Sequence, residues 1–223
     1  MAEQRDSALL LRSIPFSDSS LIIHVFTESH GRISLMARGA RRAKSPLRPG
    51  LTPLQQLHIR WKEPRTGSMG TLIEVQRLAN LLPEEKVLAG QELLATASRL
   101  FHEGDAHGYA ELTLALEMLS ERPEISGVCA ATWKMLEASG WTGDLEHCWH
   151  CVKPVDLNQT MYWQQGHLLC DTCAPNQGMK LSSGLRKSVS GHLSESYTKL
   201  NPEYITTWQM MIKDTIKHHQ MGG

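Results

Sequence analysis

Two Cys-x-x-Cys pairs in one short stretch constrain this chain more than any other feature it carries. Cys148 and Cys151 form the first pair and Cys170 and Cys173 the second, with eighteen residues between them. Two cysteines three apart on a tight turn present both sulfurs to one ion. A second such turn completes a tetrahedron with bonds of about 2.3 Å. The separation of the pairs lies within the range of four-thiolate zinc sites. Redox dithiols or structural disulfides are the alternatives, and neither needs two matched pairs in one segment. Residues 144–178 are therefore expected to form a zinc-binding module holding one Zn2+ per chain. Four thiolates fill a tetrahedral shell and leave no position for water, so the ion is expected to be structural. His147, His150 and His167 lie near enough in sequence to compete as ligands and are expected outside the shell. Cys129, four residues from both Ile125 and Trp133, is expected to be a small buried hydrophobe.

The paired thiols also bear on compartment. Apolar runs such as Leu9–Leu11 and Leu21–Ile23 are far too short to cross a bilayer, so no membrane partner is expected. The start, MAEQRDSALLLRS, has acids where a signal peptide carries a basic end and a longer apolar core. A cytoplasmic location follows as the expectation, where thiols stay reduced and metal is favoured over disulfide.

A net charge of zero hides a division. Residues 1–80 hold 12 Lys/Arg against 6 Asp/Glu, residues 81–147 hold 4 against 12, and residues 148–223 hold 7 against 5. Such asymmetry suggests a basic domain with an anionic partner, joined to an acidic one with another task.

Taken in order, residues 1–80 read as five short strands. Ala8–Ser13 is apolar and ends at Pro15 and the serines of 17–20. Leu21–Phe26 and Arg32–Arg38 form a hairpin in which Gly31 supplies a positive φ. Leu54–Trp61 and Gly70–Leu78 are two more strands, and between them and the hairpin Gly39–Gly50 reads as a polar, mobile stretch. Short strands at this spacing with no long helix between them suggest a small barrel.

From Pro83 the hydrophobic period becomes helical. Helices are expected up to Gly104, from Tyr109 to Pro123, and from Ile125 to Gly140. After the cysteines, Leu181–Leu193 is a weaker helix candidate. Asn201-Pro202 opens a last helix with a stripe of Ile205, Trp208, Ile212 and Ile216, while His218-His219 reads as its frayed end. The fold class is thus α+β and multidomain. It comprises a barrel over 1–80, a helical domain over 81–143 and 179–223, and the cysteine module over 144–178 inserted between its helices.

The candidate binding residues lie in the barrel. Arg38, Arg41, Arg42, Lys44 and Arg48 fall within eleven residues that contain no acid, and Arg60, Lys62 and Arg65 add to them. OB-type barrels hold single strands with a cationic groove and aromatic side chains on which bases stack. Trp61 and Phe26 are the aromatics available, each also suited to the core. No Gly-rich phosphate loop, Gly-x-Gly-x-x-Gly or His-Glu-x-x-His is present, so nothing points to catalysis. His102 and His107 with Asp105 read as solvated polar residues. A zinc-stabilised RNA-binding or transcription-associated module is an open alternative, since an OB-fold and a zinc knuckle suit RNA equally well.

On three stretches the chain resembles the bacterial recombination-mediator family RecO. They are ARGARRAKSPLRPGLTPLQQL, MLEASGWTGDLEHCWHC and GHLLCDTC. The resemblance implies an N-terminal OB-fold, a helical domain and a four-cysteine zinc module. It further implies a non-catalytic role in DNA repair: binding single- and double-stranded DNA, annealing complementary strands, contacting the acidic tail of the single-strand-binding protein SSB, and loading RecA together with RecR. By position, Arg38, Arg41, Arg42, Lys44 and Arg48 match the family's basic segment, and Cys148, Cys151, Cys170 and Cys173 its zinc ligands. The SSB site is implied to be an apolar pocket on the helical domain with a cation beside it. Nucleoid association follows from the DNA role. Pro46 and Pro49 stiffen the basic segment, and the tail HHQMGG lacks a basic ending, which puts a C-terminal DNA contact in doubt.

Overall fold

The computed structural model describes residues 2–64, 69–105, 107–156, 158–174, 177–194 and 200–221. The chain divides into two units, Met1–Ser120 and Glu121–Gly223. In the first, β1 (Glu3–Phe16), β2 (Ser20–Thr27), β3 (Gly31–Ala37), β4 (Gln55–Lys62) and β5 (Met69–Asn80) close a barrel in the order β1-β2-β3-β5-β4. All pairings are antiparallel except β3 with β5, and this is the OB arrangement. Alternation along the strands sends Ala8, Leu10, Ile23, Val25, Leu35, Leu57, Ile59 and Leu72 inward as one apolar cluster. Gly31 turns β2 into β3 with φ +63°. At Gly70, where β5 closes on β3, an added Cβ would lie 2.8 Å from the Lys62 carbonyl and 2.9 Å from Leu35, so only glycine fits.

β1 runs further than its composition suggests. Pairing with β4 ends at Leu9, yet β1 stays paired with β2 through Phe16, past a bulge between Leu10 and Arg12. Along this extension β1 is an edge strand, where the missing N–H of Pro15 breaks no ladder.

A 3-10 turn over Glu84–Lys86 leads into α1 (Val87–Leu100), and α2 (Tyr109–Glu121) follows. α1 lies against the outer side of β1. Phe26 meets Phe101 edge-on with ring centroids 6.0 Å apart. Arg32 of β3 donates from Nη1 to the carbonyls of Ser98 at 2.8 Å and Phe101 at 2.7 Å. A cation at the carbonyl end of a helix is favoured by the macrodipole.

The second unit holds α3 (Glu124–Ala138), a sheet ordered β7-β6-β8 from β6 (Met161–Gln164), β7 (His167–Cys170) and β8 (Met179–Leu181), then α4 (Ser183–Leu193) and α5 (Pro202–Met221). The expected helical segments are thus shared between the units, α1 and α2 falling with the barrel and α3 to α5 with the cysteines. Caps set the boundaries. Gly140 follows α3 with φ +73°, Ser182 accepts from the Leu185 N–H at 3.1 Å, and Asn201 Oδ1 accepts from the Glu203 N–H at 3.0 Å.

Three tryptophans make the centre of this unit. Trp133 of α3 meets Trp163 of β6 at 5.2 Å and Trp208 of α5 at 6.2 Å between centroids, and none is more than 1% exposed. The cysteine segment therefore shares its core with the helices around it. Ile125 is 57% exposed, while Cys129, Trp133 and Leu136 are buried as expected; burial pushes the Cys129 thiol up to about 12. The stripe of α5 is Trp208, Met211, Ile212 and Thr215, with Ile205 and Ile216 half-buried. His219 is not a frayed end. It stacks on Trp141 at 4.7 Å and its Nε2 lies 2.9 Å from the Trp141 carbonyl.

Candidate metal centre and nucleic-acid interface

The four cysteines converge. The sulfurs of Cys148, Cys151, Cys170 and Cys173 all lie within 4.8 Å of one another, and those of Cys151 and Cys170 are 3.9 Å apart. Bonds of about 2.3 Å place the sulfurs of a tetrahedron about 3.8 Å apart, so the cluster fits a four-thiolate metal shell, the geometry of a structural zinc module. No histidine or carboxylate joins it among the described residues. His147 turns to Asp144, 3.1 Å away, and His167 stacks on Trp149 at 3.8 Å with the planes 1° apart.

Local structure explains the convergence. The first knuckle is closed by a bridge between His147 and Pro154, by Cys148 N–H to the Lys153 carbonyl at 3.0 Å, and by Val152 N–H to the Cys148 carbonyl at 2.8 Å. Val152 sits at φ +57°, a conformation costly for a β-branched residue, which the knuckle holds in place. The second knuckle begins at the last residue of β7, where the N–H groups of Cys173 and Ala174 both reach the Cys170 carbonyl at 3.0 Å. Trp149 N–H donates to the Leu168 carbonyl at 2.8 Å and joins one knuckle to the other. Arg186 of α4, buried, donates to the carbonyls of Asp156 and Gln159 and fixes the approach to β6.

Electrostatics within the cluster are divided. Burial raises the Cys148 thiol, but backbone N–H groups of Cys151, Cys170 and His150 and the Cys151 thiol outweigh it, bringing Cys148 down to about 6. Hydrogen bonding to Cys170, burial, and then Cys151 and Cys148 push Cys173 up to about 12. Four adjacent thiols cannot all ionise on their own, and a bound dication removes that conflict by deprotonating its ligands.

The basic stretch lies between β3 and β4. Arg38, Arg41, Arg42, Lys44 and Arg48 are all exposed, and none makes an ion pair with a described carboxylate. Composition reads it as open and mobile, and here the structure differs. Ala40 and Leu47 are buried in the barrel cluster. Successive turns link Arg42 N–H to Gly39, Ser45 N–H to Arg42 and Gly50 N–H to Leu47. Arg41 N–H reaches the Ser19 carbonyl at 2.9 Å and its Nη1 the Ser17 carbonyl at 2.9 Å. The loop is fastened at two apolar points, with its cations turned outward.

The other barrel cations stand differently. Arg60 lies between Glu3 and Glu74, each 3.1 Å away, and Lys62 is 3.4 Å from Glu3. Arg65 lies outside the described residues. Phe26 and Trp61 are 0% and 4% exposed and belong to the core, so neither presents a face for stacking. The exposed aromatic of the barrel is Phe16, 50% exposed at the β1–β2 turn beside the loop's anchor. Its sequence neighbours, Pro15 and the serines of 17–20, mark it only as a strand end.

Comparison with known proteins bears on both sites. The model of the family "Recombination protein O N terminal" matches residues 1–80, and that of "Recombination protein O C terminal" matches residues 85–208. The chain belongs to the RecO family. Similar RecO sequences, each named DNA repair protein RecO, come from several bacteria. That of Acidithiobacillus ferrooxidans is 28% identical over 99% of this chain and 87% of its own length. That of Vibrio parahaemolyticus is 32% identical over 74% of this chain and 69% of its own. That of Glaesserella parasuis is 30% identical over 74% and 71%. The RecO matches span both units, the barrel with the basic loop and the helices with the cysteines. No helix among the described residues is long and apolar enough to cross a membrane.

Proposed function

We propose that the chain is a non-catalytic recombination mediator. It binds single- and double-stranded DNA through phosphate contacts, anneals complementary strands, and helps load RecA onto SSB-coated strands together with RecR. The observation that carries this reading is the basic loop. Five exposed cations without carboxylate partners among the described residues stand on a fastened loop of an OB barrel, in a chain of a DNA repair family. Phosphate contacts give affinity without sequence preference, as annealing any pair of complementary strands requires. Arg60, Lys62 and Arg65 extend the surface in this proposal, the first two with their charge offset by Glu3 and Glu74. The division of labour follows the sequence: residues 1–80 hold DNA, 81–143 and 179–223 carry the partner contacts, and 144–178 are a zinc clip. Zn2+ would be held by Cys148, Cys151, Cys170 and Cys173, filling its shell and acting on the fold alone. Contact with the acidic SSB tail and residence at the nucleoid in the cytoplasm complete the reading.

The test is annealing of complementary oligonucleotides precoated with SSB. The protein should accelerate it, and the triple variant Arg41→Gln, Arg42→Gln, Lys44→Gln should not. Equal acceleration by both proteins would remove the loop from the account; no acceleration by either would remove the function.

A further inference from the structure

The first cysteine knuckle holds two apolar side chains out in water. Trp149 is 58% exposed and Val152 72%. Neither is loosely placed. Trp149 is fixed by its N–H to the Leu168 carbonyl and by the His167 ring lying flat against it. Val152 is set at φ +57°. A glycine or an asparagine would close the same turn with less strain. An asparagine would also avoid the cost of exposing an apolar side chain. Strain held beside exposed apolar surface marks a side chain with a use of its own.

Both side chains line one cavity of about 370 Å³, whose wall includes Leu168, Gly143 and Asp144. A Cβ on Gly143 would stand 3.3 Å from the Trp149 ring, so the glycine keeps that side of the cavity open. Asp144 supplies its charge. Oδ1 accepts from the N–H groups of Glu146 and His147, each at 2.7 Å, and Oδ2 lies 3.1 Å from His147 Nδ1, while the side chain stays open to water. Burial raises this carboxyl, but those N–H groups and the His147 ring outweigh it and hold it below the usual carboxylate range. Glu146 is exposed two residues away. Among the described residues no lysine or arginine lines the cavity; Lys153, next to Val152 in sequence, is exposed and lies outside its wall.

We propose that this cavity docks a protein segment carrying an arginine beside an apolar side chain. The guanidinium lies on the Trp149 ring with N–H groups toward Asp144, and the apolar neighbour meets Val152 and Leu168. Arginine answers both features at once, because its planar cation stacks on aromatic faces and pairs with carboxylates. A rigid tryptophan in a concave apolar surface is a common anchor of protein interfaces. Charge decides the class of partner. Nucleic-acid phosphates or an acidic peptide would each meet Asp144 and Glu146 with no cation in the wall to receive them. The site is therefore separate from the basic loop. It goes beyond the proposed function, which places no partner on residues 144–178.

The experiment measures fluorescence anisotropy of a labelled pentapeptide, one arginine flanked by leucines and capped by glycines, titrated with the full chain at measured metal content. The wild type should bind it. Lysine in place of the arginine should weaken binding several-fold, and glutamate should abolish it. Trp149→Ala should weaken binding about tenfold. Asp144→Asn, which keeps an acceptor for the two N–H groups, should weaken it several-fold and flatten its salt dependence. Val152→Gly separates docking from folding. It relieves the positive φ, so the thermal midpoint of the second unit should hold or rise while peptide affinity falls. A wild type that does not bind the arginine peptide, or binds the glutamate peptide equally well, overturns the proposal. Unchanged affinity in both Trp149→Ala and Val152→Gly also overturns it, as do losses that only follow a loss of metal. If Trp149→Ala weakens oligothymidylate binding and leaves the peptide unaffected, the face belongs to nucleic acid and the proposal falls. None of these outcomes bears on DNA binding by the basic loop.

Discussion

The basic loop and the cysteine ribbon are both irregular stretches, and they solve the problem of holding shape in opposite directions. The ribbon turns its reactive atoms inward, four sulfurs within 4.8 Å of one another. The loop turns its charges outward and is held by apolar residues, Ala40 and Leu47, set into the barrel cluster. In the proposed function the first depends on a ligand for its fold, and the second presents a folded surface to a ligand. Chemistry that breaks the first should leave the second's charges in place. Neutralising the second should leave the first's metal in place.

Metal removal should give the largest effect. Cys148→Ser or Cys170→Ser should abolish stoichiometric zinc by elemental analysis. Zinc in small modules supplies on the order of 10 kcal/mol to folding. The thermal transition of the second unit should accordingly fall steeply, with a change in the fluorescence of buried Trp163. DNA affinity of the barrel should change by less than about threefold, since no phosphate contact is lost. A collapse of DNA binding would break the separation.

Next comes the loop's own anchor. Leu47→Ala removes no charge, yet it should cost about 2–3 kcal/mol in denaturant unfolding of the barrel. It should also weaken DNA binding several-fold, because the cations lose their fixed positions. An unchanged affinity would mean that the loop acts as a flexible arm after all.

A smaller effect separates paired from unpaired cations. Arg60→Gln should change DNA affinity by only about twofold, its charge being already matched by Glu3 and Glu74. Glu3→Gln should change it slightly the other way. If Arg60→Gln equals a loop substitution in effect, the carboxylates do not offset it.

The smallest effect is one of pH. His24 has its pKa lowered from the ordinary 6.5 by burial and by Arg12 and Arg32. Below 6.5 the unfolded chain takes up a proton that the folded one refuses. Stability from this group is therefore full above that value and is lost as the pH falls through the folded pKa. Urea midpoints at pH 7.5 and 5.5 should show a decline that His24→Asn reduces.

Much of this comparison is legible in the sequence, for identifiable reasons. Cysteine spacing brings the four candidate ligands together because ligand geometry is local, and alternation fixes the barrel because a strand's period is two. What stays hidden depends on partners far along the chain. Trp133, Trp163 and Trp208 meet although no periodicity links them, so the cysteine segment reads as a separate insert when it shares a core with α3 and α5. Small residues and prolines make Gly39–Gly50 read as mobile, since composition says nothing of where Ala40 and Leu47 are buried. Phe16 escapes notice because Pro15 and the serines after it look like the end of β1. They are the end of an edge strand, and that is why the aromatic beside them is exposed.

The most direct test of the central claim is the salt dependence of single-stranded DNA binding. It should be measured for the wild type and for the Arg41→Gln, Arg42→Gln, Lys44→Gln variant at equal zinc content. Each phosphate contact contributes about 0.7 to the slope of log affinity against log salt, so the variant's slope should be shallower by about 2, with affinity lower by about tenfold or more. An unchanged slope and affinity in a variant that keeps its zinc would contradict the assignment of DNA binding to the loop.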